Sequence, residues 1–212
     1  MPNYKIICFS LTDSHKYGNI LEKLLKLRYK GFILEEKYDI PSYNDLEFDQ
    51  YDNPFARYIV LMDDKEEVIA CSRINRTDIP YMAKDYWSHL IPTEALPNSS
   101  DCYEWTRHYV DSALSVIERV KVVRIIASAT YFALVQLNAV GACYVTHSTL
   151  FHTTKKLGMG IKSIARIDLP KFPNLHFAYV DINKVDARIV AGNLLKTTSF
   201  DIIQYFKTTP IL

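Results

Sequence analysis

Hydrophobic residues recur along the chain with two spacings, and the spacing separates strands from helices. Short β-prone runs predict strands at residues 4–9, 58–62, 68–74, 102–110, 143–146, 161–167 and 176–180. Helical spacing of apolar residues, or entry at a proline, predicts helices at residues 17–33, 80–90, 113–140, 149–157 and 185–196. Strands that first form a hairpin and then alternate with helices predict an α/β domain of three layers with a mixed β-sheet.

The segment from residue 125 to residue 145 carries no charge and is long enough to span a bilayer. It contains several polar residues, however, and Gly141 divides it into a helical part and a strand-like part. We therefore expect a buried helix followed by a buried strand, and no stable insertion into a membrane.

The composition narrows the class of protein. With 212 residues, 49% of them hydrophobic, the chain can bury a sizeable core, and we expect one domain over residues 1–212. A net charge of +1 gives no reason to expect binding to nucleic acid. The four cysteines are widely spaced in or beside apolar runs, which is typical of reduced core residues and not of a zinc site. The N-terminus lacks a secretion signal, so we expect a cytoplasmic protein.

The segment at residues 35–52 is strongly acidic although the whole chain is nearly neutral. It holds seven acidic residues against one base, Lys37. Such a density of carboxylates repels itself unless solvent or cations from elsewhere compensate it. The aromatic residues in and around the segment argue against disorder, so we expect a long ordered loop.

Three arginines are candidates for those cations. Arg28 shares a helical stripe with apolar residues, so its guanidinium lies on a face that should be buried and needs a carboxylate partner. Arg73 and Arg107 lie in strand-like runs. These residues suggest a polar network built around a ligand, whereas composition alone favours a set of surface ion pairs.

Strand geometry places a condition on Glu104 and Arg107. In a regular strand these two side chains point to opposite faces of the sheet, because side chains alternate with a period of two. If both serve one pocket, an extra residue must be inserted between them. We therefore predict a β-bulge near Trp105 and Thr106, a feature often found beside active sites.

Other chemical motifs are weak. His147 and His152 have poor spacing for a metal site, and we expect no metal. The chain has neither a nucleophile elbow nor a phosphate-binding loop of the Walker type. The glycines at 158 and 160 follow a predicted helix and precede a strand, so a helix C-cap explains them better than an acyl-CoA loop does.

Several of these residues form a succession along the chain. It runs Arg28 and Phe32, then Tyr38, then Glu47-x-Asp49-x-Tyr51-Asp52, then Arg73-Ile74, then Thr77-x-x-Pro80-Tyr81-Met82, then Glu104-x-Thr106-Arg107. The succession closely resembles the acyl-homoserine-lactone synthase (autoinducer synthase) family, over residues 28–110. The family usually has tryptophan at the position of Tyr38, serine at Thr106 and phenylalanine at His108.

The resemblance implies a three-layer GNAT-like acyltransferase fold, in which the sheet is splayed where the phosphopantetheine arm of the acyl donor enters. From the order of the strands along the chain, the two splayed strands are expected at residues 102–110 and 143–146. The implied bacterial enzyme joins an acyl group from acyl carrier protein to the amino nitrogen of S-adenosylmethionine. It then closes the lactone of a quorum-sensing signal and releases methylthioadenosine. S-adenosylmethionine is a substrate, and no cofactor is implied.

The resemblance also implies roles for the acidic and basic residues. Glu104 is the candidate base, with Glu47 as second choice, and backbone N–H groups at the bulge would stabilise the oxyanion. Asp49 and Asp52 are assigned to the cationic end of S-adenosylmethionine. Arg28 and Arg107 are expected to order the acidic loop. Arg73 is expected to orient Glu104 or the substrate carboxylate.

Further residues are expected to contact substrates or the donor. Tyr38 is a candidate for adenine stacking, and Thr146 or Ser148 for a hydrogen bond to a 3-oxo group. The other candidate substrate contacts are Phe32, Trp105 and Thr106. Because acyl carrier protein is acidic, candidate docking residues are Arg119, Lys121, Arg124, Lys155 and Lys156. A solvated basic face explains these five equally well.

Two other functions remain open on the sequence. One is a GNAT-type N-acyltransferase that uses acyl-CoA and another amine. The other is a protein that binds S-adenosylmethionine without turning it over.

Overall fold

The computed structural model describes residues 4–195, without the side chains of Ile189, Asn193 and Leu195. Its strands are β1 (Lys5–Ser10), β2 (Ser42–Tyr43), β3 (Leu46–Glu47), β4 (Arg57–Met62), β5 (Val68–Arg76), β6 (Cys102–Val110), β7 (Gly141–His147), β8 (Lys162–Ile167) and β9 (Leu175–Asp181). The main sheet has the order β1-β4-β5-β6-β7-β9-β8. In it β6 and β7 are parallel, and the other neighbours are antiparallel. The expected mixed sheet is confirmed.

Helices cover both faces of this sheet. They are α1 (Ser14–Arg28), α2 (Met82–Trp87), α3 (Val116–Gln136), α4 (Ser148–Lys156) and α5 (Ala187–Leu195). On one face α1 packs Leu24 and Leu27 against β1 and β4, and α2 contributes Ala83 to a smaller apolar cluster. On the other face α3, α4 and α5 share a larger core around residues such as Ile126 and Phe151. The three-layer arrangement is therefore confirmed.

The parallel strands β6 and β7 stay together over only part of their length. They pair from Cys102 with Gly141 to Glu104 with Cys143, and then separate. Both strands continue beyond this point, to Val110 and His147. The splay expected between these two strands is present, and it leaves a gap in the sheet beside Glu104.

A β-bulge interrupts β6 close to this gap. Arg107 and His108 together lie opposite the single residue Ser72 of β5. Arg107 has a φ of 51°, which lies in the left-handed region that side chains other than glycine rarely adopt. The expected bulge is present, just past the residues Trp105 and Thr106 at which the sequence placed it.

The inserted residue changes which side chains share a face of the sheet. Glu104 and Arg107 both contact Met82 of α2, the first through the Met82 backbone N–H and the second through its sulfur. Trp105 and His108 lie together on the opposite face, with ring centroids 5.5 Å apart. The bulge thus brings the base candidate and the arginine to one side, as the sequence argument required.

The first helix ends differently from the regular helix expected over residues 17–33. After Arg28 the chain continues as a π-helix over Tyr29–Glu35. A Cβ atom at Gly31 would lie 2.5 Å from the ring of Tyr109, so glycine is what allows that ring to pack against this turn. Hydrophobic spacing over so few residues does not distinguish a π-turn from an α-turn.

The acidic segment is not one continuous loop, because β2 and β3 form a small hairpin within it. Asn44 and Asp45 connect them with φ values of 49° and 61°. Two successive positive φ angles are typical of a type I′ hairpin turn, and asparagine and aspartate favour that turn. The dipeptide Asn44-Asp45 was therefore a hairpin signal in the sequence.

The uncharged segment forms a buried helix followed by a buried strand, as expected. The helix ends at Gln136, and Asn138 adopts a φ of 55°, so the break comes before Gly141. No helix within residues 4–195 is long and apolar enough to cross a membrane. The last helix was expected to reach Lys196, which lies outside the described residues.

Candidate active site

Six charged residues from distant parts of the chain form one buried group, which we call the arginine–carboxylate cluster. Its members are Arg28, Glu47, Asp49, Asp52, Arg73 and Arg107. Their side chains are between 0% and 9% exposed. The acidic segment is therefore held by arginines of α1, β5 and β6, and the alternative of surface ion pairs is excluded for these six residues.

Arg28 and Asp52 form the innermost pair. The Nη1 and Nη2 atoms of Arg28 donate to the two carboxylate oxygens of Asp52 at 2.8 and 2.9 Å, and Nε donates to Glu47. Burial alone would raise the pKa of Asp52. The guanidinium groups of Arg28 and Arg73 outweigh this effect and hold the pKa of Asp52 well below its ordinary value.

Asp49 lies between the other two arginines. Arg73 donates to its two oxygens at 2.6 and 3.1 Å, and to Thr106 Oγ1 at 3.1 Å. Arg107 donates from Nη2 to Asp49 at 2.7 Å and to Glu47 at 2.9 Å. With three guanidinium groups and three carboxylates, the cluster is balanced in charge.

Glu104 lies outside the cluster, on the strand that borders the gap. Its carboxylate accepts the backbone N–H groups of Met82 at 3.0 Å and Ala83 at 2.6 Å, at the start of α2. Burial raises the pKa of Glu104 to about 7, although these N–H groups, Arg73 and Arg107 act in the opposite direction. The α2 backbone, rather than Arg73, positions this carboxylate.

A cavity of about 490 Å³ opens beside Glu104 and connects the two faces of the sheet through the gap. On the face of α2 its wall includes Asp49 and Met82, and on the other face it includes Trp105 and Tyr144. One end of the cavity is thus polar and the other is largely apolar. Residues 4–195 contain no group of histidine, cysteine, aspartate and glutamate side chains that could hold a metal ion.

Aromatic side chains form the outer part of the cavity. The rings of Phe32 and Tyr38 are stacked with centroids 6.1 Å apart, and the guanidinium carbon of Arg107 lies 5.3 Å from the Phe32 centroid. Phe172, from the loop before β9, packs against Tyr38 in a T-shaped arrangement with ring centroids 4.9 Å apart. Flat apolar faces with polar tips suit a heteroaromatic ring.

A chain of hydrogen bonds lies on the opposite face of the sheet. Trp105 Nε1 donates to Ser72 Oγ at 3.1 Å, and Ser72 Oγ lies 2.8 Å from His108 Nδ1. Burial lowers the pKa of His108 to about 4, so the ring is neutral at pH 7. Both Trp105 and His108 line the cavity.

Twelve of the predicted catalytic and substrate-binding residues divide into two groups. Those that line the cavity are Phe32, Tyr38, Asp49, Glu104, Trp105, Thr106, Arg107 and Thr146. Arg28, Glu47, Asp52 and Arg73 lie behind the cavity wall, within the arginine–carboxylate cluster. Asp52, expected to meet the cationic end of S-adenosylmethionine, pairs with Arg28 and Arg73 and is not among the residues that line the cavity.

The two hydroxyl residues expected near the acyl chain are placed differently. Thr146 is buried and lines the cavity. Ser148 Oγ donates to the carbonyl oxygen of Asn174 at 3.0 Å and lies 2.9 Å from His176 Nε2. The hydroxyl of Ser148 is therefore engaged at the start of β9.

The candidate docking residues lie on α3 and α4, which cover the same face of the sheet. Arg119 and Arg124 are exposed on α3, and Lys121 is half-buried there. Lys155 and Lys156 are exposed in the last turn of α4. Their exposure fits both a docking surface and a solvated basic face.

Some contacts of the site were not predicted from the sequence. Met82 and Ala83 hold Glu104 through their backbones, and the Tyr58 hydroxyl donates to Asp52 at 3.0 Å. Pro80 indicated a helix near Met82, but no local signal shows that the start of this helix meets Glu104. Such contacts depend on the packing of segments that are distant in sequence.

Comparison with known proteins identifies relatives of this chain. The family model for autoinducer synthase matches residues 12–166. An acyl-homoserine-lactone synthase of Vibrio anguillarum is 35% identical over 102 residues, which is 46% of this chain and 53% of that protein. An isovaleryl-homoserine lactone synthase of Bradyrhizobium diazoefficiens is 26% identical over 106 residues, 50% of this chain and 48% of that protein. The chain spans about half the length of the relatives it matches.

Solved structures share the fold at low sequence identity. The AHL synthase LasI matches with a TM-score of 0.75 and 17% identity, over 96% of this chain and all of that one. BjaI, a CoA-dependent acyl-homoserine lactone synthase with bound SAM and isopentyl-CoA, matches with a TM-score of 0.76 and 18% identity. The match covers 94% of this chain and 92% of that one. A GNAT-family acetyltransferase of Staphylococcus aureus matches with a TM-score of 0.52 and 14% identity, over 84% of this chain and 99% of that one. The expected GNAT-like fold is confirmed, and the family model places this chain in the autoinducer synthase family.

Proposed function

We propose that this protein is an acyl-homoserine-lactone synthase, which makes a quorum-sensing signal from S-adenosylmethionine and an acyl thioester. The observation that carries this proposal is the position of Glu104. Its buried carboxylate, with a pKa raised to about 7, lies where the cavity passes between β6 and β7. A base is therefore available where a polar substrate from one face can meet an acyl chain from the other.

S-adenosylmethionine fits the polar half of the cavity. Its ammonium and sulfonium groups are positive, and Asp49 and Glu104 supply carboxylates to that half. Its adenine suits the stacked rings of Phe32 and Tyr38. Its own carboxylate suits the guanidinium of Arg107, which also lines the cavity. The other members of the arginine–carboxylate cluster act as positioning residues, namely Arg28, Glu47, Asp52 and Arg73.

Acylation begins with loss of a proton from the ammonium group. Glu104 accepts this proton, directly or through one water, and the neutral amine attacks the thioester carbon. Beyond Glu104 the edge of β6 faces the gap, and backbone N–H groups near the bulge are suited to stabilise the tetrahedral oxyanion. Collapse of the intermediate forms the amide and releases the thiol of the donor.

Lactone formation follows within the same cavity. The methionine carboxylate attacks its own γ-carbon and breaks the carbon–sulfur bond of the sulfonium. The bonding electrons leave on sulfur, so neutral methylthioadenosine is the leaving group. The ring that closes is the homoserine lactone, which carries the new amide.

We propose acyl carrier protein as the acyl donor. Its acidic surface would pair with the exposed basic residues Arg119 and Arg124 of α3 and Lys155 and Lys156 of α4. BjaI is described as CoA-dependent, so acyl-CoA is the competing donor. Two donors with the same acyl group therefore need to be compared.

The test is an assay of the purified protein with S-adenosylmethionine and either acyl-acyl carrier protein or acyl-CoA. We expect methylthioadenosine and an acyl-homoserine lactone in equal amounts by mass spectrometry. An N-acyltransferase acting on another amine would release no methylthioadenosine. A protein that only binds would show calorimetric binding of S-adenosylmethionine and no product. Either result overturns the proposed function.

A further inference from the structure

Tyr51 of the acidic segment has no role in the proposed chemistry, although it contacts three parts of the site. Its backbone carbonyl accepts from Asn75 Nδ2 at 3.0 Å, and Asn75 lies directly opposite Glu104 in the pairing of β5 with β6. Its backbone N–H donates to Asp49 at 2.9 Å, and its hydroxyl donates to Asp85 of α2 at 2.9 Å. Tyr51 therefore links the sheet beside Glu104 to the helix α2.

The hydroxyl of Tyr51 reaches the turn of α2 that holds the candidate base. The backbone N–H of Asp85 donates to the carbonyl oxygen of Tyr81 at 3.0 Å, which closes the first turn of the helix. The two backbone N–H groups that donate to Glu104 come from the first two residues of the helix, within this same turn. A bond that fixes Asp85 therefore also fixes the two donors that face Glu104.

The helix α2 needs such an anchor because it is short. Six residues are too few for a helix to be stable by itself in water. Other contacts also hold it, among them the burial of Ala83 in an apolar cluster and a hydrogen bond from the Tyr81 hydroxyl to a backbone carbonyl of the following loop at 2.8 Å. Tyr51 is 1% exposed and its backbone is bonded to the sheet, so it fixes the helix relative to Glu104 itself.

The charge state of Glu104 depends on these two donors. Burial raises its pKa to about 7, and the N–H groups of Ala83 and Met82 are the largest influence in the opposite direction. The other titratable or charged side chains that face Glu104 come from β5, β6, β7 and the residue before α2, and are Arg73, Arg107, Cys143 and Tyr81. Loss of the two N–H bonds would leave burial opposed by the arginines alone, so the pKa of Glu104 would rise further.

We propose that Tyr51 is a positioning residue: through Asp85 its hydroxyl holds the first turn of α2, and this turn keeps its two N–H groups on the carboxylate of Glu104. This assignment rests on the proposed function, in which Glu104 accepts the proton of the ammonium group. Burial and the hydrogen bond to Asp85 raise the pKa of Tyr51, so its hydroxyl keeps its proton and remains the donor. Without this bond the base stays protonated to a higher pH.

The test is the pH dependence of kcat/KM, measured by methylthioadenosine release in the wild type and in Tyr51→Phe. Phenylalanine removes only the hydroxyl and keeps the buried ring, whose centroid lies 5.9 Å from the guanidinium carbon of Arg73. We expect the acid limb of the profile to move up by about half to one pH unit. The variant should thus be about three- to tenfold slower at pH 6 and come within about twofold of the wild type at pH 8.5.

Changes at Asp85 test the same contact from its other side. Asp85 is exposed, so we expect its variants to fold. Asp85→Ala removes the acceptor and should shift the acid limb as Tyr51→Phe does, and the double variant should shift it no further. Asp85→Asn keeps an amide oxygen that can accept from the Tyr51 hydroxyl, so it should retain the wild-type limb. Additive shifts in the double variant would show two independent effects and overturn the positioning role.

Tyr29→Phe is the matched control. The Tyr29 hydroxyl hydrogen-bonds Asp45 of the same acidic segment, which raises the pKa of Tyr29, but neither residue is among those that line the cavity. We expect this change to leave the acid limb in place. An unshifted limb in Tyr51→Phe overturns the positioning role while the proposed function stands. A higher KM for S-adenosylmethionine with an unshifted limb would make Tyr51 a substrate contact instead.

A titration without turnover separates the positioning role from the proposed function. The carboxyl carbon of Glu104 can be observed by NMR in protein labelled with isotopic glutamate, and Glu104→Gln identifies its signal. We expect the pKa of Glu104 to be higher in Tyr51→Phe than in the wild type, whereas an equal pKa overturns the positioning role. Absence of methylthioadenosine from the wild-type protein with every donor overturns the proposed function instead.

Discussion

Arg28 and Asp52 form two parallel hydrogen bonds of 2.8 and 2.9 Å, and both side chains are fully buried. The pair joins the end of α1 to the acidic segment, and Arg73 contacts the same carboxylate at 2.8 Å. A buried ion pair contributes little net stability compared with apolar residues, but loss of one partner leaves a buried charge uncompensated.

We therefore expect Asp52→Asn to lower the free energy of unfolding by about 3 kcal/mol. Denaturation in urea measures this change. Asp78→Asn is the control, because Asp78 pairs with Arg76 at the surface, where both side chains are 30% exposed. Its expected cost is less than about 1 kcal/mol. Equal costs for the two variants would contradict the structural role of Asp52.

Glu104→Gln should lower kcat by about 10²–10⁴-fold while the fold remains intact, because the amide cannot accept the proton from the ammonium group. The amide oxygen can still accept one of the α2 N–H groups. Methylthioadenosine release measures turnover, and circular dichroism checks the fold. Exposed Glu94→Gln is the control. A fully active Glu104→Gln enzyme would exclude Glu104 as the base.

The stability of the protein should depend on the protonation of Glu104. Burial raises the pKa of Glu104 from 4.5 to about 7 in the folded protein. The folded state thus binds this proton more tightly than the unfolded state. The resulting stabilisation is fully present below about pH 4.5 and is lost as the pH rises through about 7.

Thermal unfolding of the wild type and of Glu104→Gln at pH 5 and pH 8 isolates this effect. The variant has no proton to lose at this position, so its Tm should fall less between the two pH values. Other groups titrate equally in both proteins and cancel in the comparison. Parallel Tm curves would show that the Glu104 carboxyl is not protonated more readily in the folded state.

Arg107→Lys should raise KM for S-adenosylmethionine by about tenfold or more. The guanidinium of Arg107 donates to both Glu47 and Asp49 and lies over the Phe32 ring. The ammonium group of lysine cannot reproduce this planar set of donors. Steady-state kinetics measure the effect. Arg57→Lys is the control, because Arg57 bonds only to backbone carbonyls in the contacts seen for it within residues 4–195. An unchanged KM in Arg107→Lys would remove Arg107 from the substrate site.

Charge reversal on α3 tests whether acyl carrier protein, the proposed acyl donor, docks on the basic residues of this helix. Arg119→Glu combined with Arg124→Glu should raise KM for acyl-acyl carrier protein several-fold, because the carrier is acidic, and the effect should shrink at high salt. KM for acyl-CoA with the same acyl group serves as the internal control. A variant that keeps its wild-type KM for the carrier would indicate that these residues form only a solvated basic face.

The sequence indicated the arginine–carboxylate cluster as one of two alternatives, although composition alone favoured surface ion pairs, because burial imposes pairing. Arg28 lies on an apolar helical stripe, so a carboxylate partner was required, and the nearest excess of acids was the segment at residues 35–52. The individual pairs were not predictable in the same way. Arg73 was expected to orient Glu104 or the substrate carboxylate. In the structure it donates to Asp49, because the register of β5 against β6 decides which carboxylate it reaches.

Contacts made by the backbone were the least accessible to sequence reasoning. The N–H groups of Met82 and Ala83 hold Glu104, and nothing in their side chains indicates this. Similarly, the hydrogen bonds from Trp105 through Ser72 to His108 depend on the pairing of two strands. The bulge was predicted because strand alternation allows Glu104 and Arg107 to serve one pocket only if an extra residue lies between them.

The extra residue in the β6 bulge also means that deletion of one residue there would alter the rest of the strand. If one codon were deleted at Arg107 or His108, alternation would become regular again, and every later side chain of the strand would exchange faces. Tyr109 would leave the surface of Gly31, and Val110 would leave the core beneath α3. Deletion of a single codon at this position would therefore disrupt the fold, whereas substitutions of residues that line the cavity would leave the strand intact.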